Sequence, residues 1–231
     1  MTVISIDKKY VFTSVYKTGS ASLANLLTSN HFERISLKHP IFKRTNIDSM
    51  FKNNLLVGGY IALNNTFKLP AEYDVIKYTP HSKSSTIKEI LFHEESGLVW
   101  DDFFKFGFVR NPWDRELSNY FFNNETLKPP KNISFKRWLK YTLKEDAQIG
   151  VSKSPQFEYL TDVDYVARFE NYTEEVKYIF NKLKLPLPNK LQHIHKTEHK
   201  PYWEYYDDVD IMRVHQWYEK DIEMYDYEFG Q

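Results

Sequence analysis

Lys17-Thr18-Gly19-Ser20-Ala21-Ser22 lies between the apolar run YVFTSV and a run that reads as a short helix. A lysine and small hydroxyl residues at the start of a helix suit a phosphate group. The unpaired N–H groups and the positive dipole end of the helix face the anion. The lysine adds full charge, and serine hydroxyls can donate hydrogen bonds. Gly19 permits a tight turn. The order differs from the nucleotide-triphosphate loop G-x-x-x-x-G-K-[ST], because the lysine precedes the glycine. An ordinary strand-turn-helix with a capping serine and a solvated lysine would use the same residues.

A second anion-type arrangement is Arg110 with Ser118. Arg110 ends FFKFGFVR, and Ser118 follows eight positions later, about two turns into the next helix. Arg115 shares a helix face with Ser118 at i, i+3. An arginine at a strand end beside a helix N-terminus can clamp a phosphate. The alternative is an Arg110–Asp114 pair with Ser118 facing solvent.

A base could come from one of eight histidines, whose unperturbed pKa is near 6.5. His81 is the first candidate, because it follows DVIKYT and so lies at a strand's carboxyl end. His93, with Glu94 and Glu95 beside it, is the rival. His193, His195 and His199 with Glu198 have a spacing that matches no common zinc pattern, and no metal is expected. Trp113 and the aromatic run YWEYY at 202–206 read as packing residues with polar tips rather than ligand contacts.

The elements that must position these groups alternate. Strands are expected at 10–15, 74–79, 103–110 and 164–169. Helices are expected at 20–29, from Thr86 (a capping box with Glu89), from 112 to about 122, and at 134–143, 172–183 and 208–225. Asn111-Pro112-Trp113-Asp114 reads as a helix start, with Asn111 as N-cap. Strand–helix alternation without a Gly/Ser/Pro linker predicts one α/β domain over 1–231, with a central, mainly parallel sheet flanked by helices. Ligands in such sheets sit at the carboxyl ends of the strands.

Composition narrows the partners. Hydrophobic residues make up 42% and aromatics 17%, enough for a substantial core. Basic and acidic residues balance at 31 each. A nucleic-acid or anionic-membrane binder would carry a basic excess, so any anion site must be local. Cysteine is absent, which removes disulfide and thiolate chemistry. MTVISIDKKYVF shows neither a signal-peptide apolar region nor a membrane span, and a cytoplasmic setting is the expectation.

KTGSAS after a strand, together with FKFGFVRNPWDRELSNYFF, resembles the two cofactor motifs of the sulfotransferases that use 3′-phosphoadenylyl sulfate (PAPS). The closer similarity is to the carbohydrate branch. DVDYVARFENYTEEV and HIHKTEHKPYWEYYDD resemble its strand-then-helix segment and its C-terminal cofactor loop. HSKSSTIKEI resembles the segment that carries a histidine near the acceptor. The resemblance spans most of 10–227 and is weakest over 30–70 and 123–155.

The resemblance implies a P-loop-like sulfotransferase fold and transfer of a sulfuryl group from PAPS to a hydroxyl, with adenosine 3′,5′-bisphosphate (PAP) as product. It implies that Lys17, Thr18, Gly19, Ser20, Ala21 and Ser22 cradle the 5′-phosphosulfate. Arg110 and Ser118 would hold the 3′-phosphate, and Lys196 and Thr197 would close over the nucleotide. Lys17 would stabilise the leaving oxygen and His81 would deprotonate the acceptor, a carbohydrate or other hydroxyl compound. The chain departs from the pattern at Tyr16, where proline commonly precedes the lysine, at Ala21, which lacks a hydroxyl, and at His195, often asparagine. The alternatives are a non-catalytic PAP/PAPS-binding module and, further off, a small-molecule kinase.

Overall fold

Short runs of β-branched and aromatic residues form one five-stranded sheet: β1 (Thr2–Ser5), β2 (Tyr10–Thr13), β3 (Val75–Tyr78), β4 (Phe104–Val109) and β5 (Tyr165–Arg168). The structure, a computed structural model, describes residues 2–5, 8–29, 75–78, 81, 83–92, 97–126, 133–144, 153–187 and 199–230. Strand order is β3-β1-β2-β4-β5. β1 pairs antiparallel with β2 and with β3, whereas β2–β4 and β4–β5 are parallel. Four strands therefore point the same way and β1 alone is reversed, which is the mainly parallel α/β architecture expected.

Seven α-helices are described: α1 (Ser20–Ser29), α2 (Ser84–Leu91), α3 (Pro112–Thr126), α4 (Phe135–Thr142), α5 (Tyr172–Lys182), α6 (Asp208–Trp217) and α7 (Glu219–Tyr225). Alternation along the strands decides which face each helix covers. Phe12, Phe106 and Phe108 pack with Leu23, Ala24 and Leu27 of α1 and with Val176, Ile179 and Phe180 of α5. The opposite face sends Ile4 and Val11 against Ile87 of α2, Trp100 and Phe103. Beyond the strand ends, Val15 and Val109 join Trp113, Leu117, Trp138, Tyr202, Val214 and Tyr218 in a third cluster. Each fully buried side chain of this size contributes about 1.5–3 kcal/mol.

Three expectations need correction. β1 is a strand beyond those expected, because Val3 and Ile4 are the only large apolar residues among its four. α2 begins at Ser84, not Thr86, and Lys83 occupies the N-cap position with no side-chain cap bond. Tertiary partners replace the local capping box: Ser84 N–H donates to the Tyr159 carbonyl at 2.9 Å, and its hydroxyl to the Thr161 carbonyl. The helix expected over 208–225 breaks at Tyr218 (φ −115°, ψ 27°). Tyr218 is anchored elsewhere, its hydroxyl on Glu116 at 2.7 Å and its ring 4.5 Å from the Arg115 guanidinium.

The Asn111 cap is realised: Trp113 N–H donates to Asn111 Oδ1 at 3.1 Å. Trp113 is buried and its indole N–H bonds the Ile211 carbonyl. Tyr202 accepts from Asn111 Nδ2, and Tyr206 donates to the Trp113 carbonyl at 2.7 Å. These aromatics pack with bonded tips, as expected.

Gly107 sits in the middle of β4, where a Cβ would lie 2.8 Å from the Thr13 carbonyl and collide with Leu160. Gly107→Ala is expected to lower unfolding stability by about 1–3 kcal/mol, read as a shifted denaturant midpoint. An unmoved midpoint would show that β2 and β4 have room to separate.

Candidate active site

β2 ends at Thr13, and residues 14–19 carry the chain into α1. Two of these residues are left-handed, Lys17 at φ +65° and Gly19 at φ +73°. That conformation costs a non-glycine residue about 1–2 kcal/mol, so surrounding contacts must hold Lys17 there. Gly19 has a further constraint, because a Cβ would sit 2.8 Å from the Phe169 ring and 3.2 Å from Tyr172. Thr18 is fully buried and its hydroxyl donates to the Val15 carbonyl at 3.1 Å. It fastens the turn, which leaves its N–H rather than its hydroxyl as a ligand group. Ser20 and Ser22 are buried in the first turn of α1, Ala21 is half-buried, and that turn holds no acidic residue.

Arg110 leaves the end of β4, the parallel neighbour of β2. Its Nη1 donates to the Lys17 carbonyl at 3.2 Å, which joins the two anticipated anion elements directly. Its Nε donates to Asp114 Oδ2 at 2.8 Å. The guanidinium lies 4.3 Å from the centre of the Phe169 ring, the same ring that covers Gly19. Gln156 holds the Arg110 backbone from both sides, accepting from its N–H at 2.9 Å and donating to its carbonyl at 2.8 Å. Buried Asp221 in turn accepts from the N–H groups of Gln156 and Phe157 at 2.7 and 2.8 Å. The arginine therefore has a fixed backbone and a fork oriented by a carboxylate.

Ser118 is buried rather than solvent-facing. Arg115, expected on its face, instead lies in the core, its guanidinium over Tyr218 and its Nη2 on the Ser154 carbonyl at 3.3 Å. Burial pushes the neighbouring Glu116 carboxyl up, against the opposing pull of Arg115 and Tyr218. These are framework groups.

His81 reaches across to the same loop. Its Nδ1 lies 2.7 Å from Ser14 Oγ and 3.3 Å from the Ser14 carbonyl. A carbonyl only accepts, so a proton on Nδ1 satisfies both contacts and leaves Nε2 with a free lone pair. Burial lowers the ring's pKa to about 4, against which the Ser14 carbonyl acts weakly. Neutral imidazole is the result at neutral pH, the form a general base needs. Tyr16 packs edge-on against His81 with centroids 5.1 Å apart, and Lys17 Nζ lies 4.2 Å from the Phe122 ring centre.

Lys17, Thr18, Gly19, Ser20, Ala21, Ser22, Arg110, Ser118 and His81 thus belong to one neighbourhood around the ends of β2 and β4. Lys196, Thr197, His193, His195 and the rival His93 lie outside the described residues. Sequence reasoning missed Ser14, Phe122, Phe169 and Gln156. Only Phe122 carried a signal, its four-residue spacing from Ser118. The other three are brought in by tertiary packing.

A family model described as the Sulfotransferase family matches residues 1–228. The chain belongs to this family and is a sulfotransferase, an enzyme that transfers sulfate to an acceptor. An uncharacterized protein of Archaeoglobus fulgidus is 29% identical to it over 89 residues, covering 38% of this chain and 73% of the relative. No solved structure matches the chain. Among the described residues, no helix is long and apolar enough to cross a membrane, and no group of three or more His, Cys, Asp or Glu side chains could hold a metal ion.

The low His81 pKa has a consequence for stability. The unfolded ring takes a proton near pH 6.5, the folded ring only at about 4. Between these values the unfolded state binds more protons, so stability falls as pH drops through that window. The contribution of His81 is on the order of 3 kcal/mol. Denaturation of parent and His81→Gln between pH 7 and pH 4 is expected to show a flatter pH dependence for the variant. Parallel curves would contradict the burial of this ring.

Proposed function

We propose that the chain is a single sulfotransferase domain that moves the sulfuryl group of PAPS to a hydroxyl of a carbohydrate acceptor. The observation that carries this reading is the 3.2 Å contact between Arg110 Nη1 and the Lys17 carbonyl. It sets the Arg110 guanidinium against the backbone of the lysine loop, at the adjoining carboxyl ends of two parallel strands. One nucleotide with phosphates at two positions can span such a pair, whereas a mononucleotide with a single phosphate group needs only one.

The residues present fit that donor. Lys17 through Ser22 would cradle the 5′-phosphosulfate, with the N–H groups of the first turn of α1 and the hydroxyls of Ser20 and Ser22 as donors. Arg110 and Ser118 would hold the 3′-phosphate. The Nε bond to Asp114 and the Nη1 bond to the Lys17 carbonyl would fix the guanidinium plane while its remaining N–H groups face the ligand. Lys196 and Thr197 enter this reading from the family resemblance. When bound, the donor supplies a sulfuryl group on a phosphate leaving group.

The chain's own residues supply the rest. The Lys17 ammonium would neutralise charge on the leaving oxygen, a preorganised electrostatic effect. His81 Nε2 would accept the acceptor's hydroxyl proton, with Nδ1–H held by Ser14. An anion bound beside the ring favours the imidazolium, so His81 becomes a better proton acceptor once the site is filled. A positioned base of this kind contributes typically 10²- to 10⁴-fold in rate.

Thermal shifts with PAP, ATP and AMP test the nucleotide class, with selective stabilisation by PAP expected and ATP preference decisive against it. Arg110→Ala should weaken PAP binding by about 10- to 100-fold, the loss of a charge-assisted contact, while the acceptor KM changes little. Equal PAP affinity in parent and variant would reject the clamp. His81→Ala should lower kcat by about 10²-fold or more and leave PAP affinity intact. Full activity would exclude it as the base.

A further inference from the structure

Phe122 holds no place in the chemistry above, yet it meets the lysine at its centre. Asp114, Ser118 and Phe122 follow at four-residue intervals along α3, a spacing that keeps side chains on one helix face and advances about 6 Å per step. Asp114 begins this stripe and holds Arg110, which lies just before the helix, at 2.8 Å. At the other end the Phe122 ring centre lies 4.2 Å from Lys17 Nζ. Lys17 is thus touched at both ends, its carbonyl by Arg110 Nη1, which Asp114 of the stripe orients, and its ammonium by Phe122 of the same stripe. Tyr16 closes the cluster, its ring 5.1 Å from His81 and 6.2 Å from Phe122 between centroids.

We infer that Phe122 is a positioning residue that holds the Lys17 ammonium for the transfer step. The contact solves a problem created by the chain itself. A lysine side chain has four flexible carbons and high rotamer entropy, and here it springs from a left-handed backbone. An aromatic face attracts an ammonium electrostatically without withdrawing its charge. A ring face attracts the ammonium without supplying an oxygen acceptor, so it can order the cation without replacing an anion as hydrogen-bond partner. A carboxylate in the same place would compensate that charge and weaken its effect on the leaving oxygen. Ser118, one turn earlier, puts the proposed phosphate contact and the lysine's support on one rigid element.

This inference rests on the proposed donor and lysine role, and two readouts separate it from them. In the ligand-free protein with ε-¹³C-labelled lysine, the Lys17 methylene resonance, assigned by its loss in Lys17→Arg, is expected to be shifted upfield by the ring. The shift should vanish in Phe122→Leu. In turnover assays Phe122→Leu should lower kcat about tenfold with donor KM within about twofold, and Phe122→Trp should retain activity. Phenylalanines of increasing fluorination at position 122 weaken the ring face at nearly constant shape, and kcat should fall stepwise along the series. A flat series, or an unshifted Lys17 resonance in the parent, overturns the assignment. A parent that transfers no sulfuryl group refutes the proposed reaction instead, and the Lys17 resonance, read without donor or acceptor, still decides the contact.

Discussion

The site depends on the parallel pairing of β2 with β4. Tyr10, Val11, Phe12 and Thr13 stand opposite Phe104, Lys105, Phe106 and Gly107. The two strands run in step, so the chain leaves both at the same edge of the sheet. Residues 14–19 and Arg110 therefore emerge side by side although more than ninety positions separate them. Parallel neighbours cannot be joined by a hairpin and need a long crossover. Gly107 lets the backbones approach closely at the register position of Thr13. Phe12 and Phe106, stacked with centroids 5.4 Å apart, fill the face beneath the loops.

A chain with no net charge can still gather cations in one place, because charge here is arranged locally. The first turn of α1 carries no acidic residue, and Lys17 and Arg110 meet within one hydrogen bond. The acidic groups nearby have structural partners. Asp114 orients the Arg110 fork, and Asp221 ties down the turn that holds the Arg110 backbone. Glu116 is buried against Tyr218 and Asn119. The carboxylates thus brace the cations, and a guanidinium braced on its Nε keeps its remaining donors in a fixed plane.

The same loop links the proposed base to the proposed cation. Ser14 bonds His81, Tyr16 packs on its ring, and Lys17 follows directly. A displacement of residues 14–17 would move both groups together. Tyr16, the residue before the lysine, has a physical role here: its ring packs between His81 and Phe122. Burial of this cluster also accounts for the lowered His81 pKa.

The sequence by itself determined the class of fold, the helix start at Asn111, and the identity of the lysine loop and the arginine motif. These features are local: caps, turns and apolar runs are written in adjacent residues, and the motif residues lie within one strand–helix unit. It did not reveal β1, whose only large apolar residues are Val3 and Ile4, or the break at Tyr218, which a hydroxyl bond to Glu116 and an arginine stack impose from a distant helix. Tertiary structure alone decided that Arg110 touches Lys17, that Ser14 holds His81 and that Phe169 covers Gly19 beneath the guanidinium. Each of these contacts joins residues brought together by strand pairing, and pairing across long crossovers leaves no mark in the spacing of neighbours along the chain.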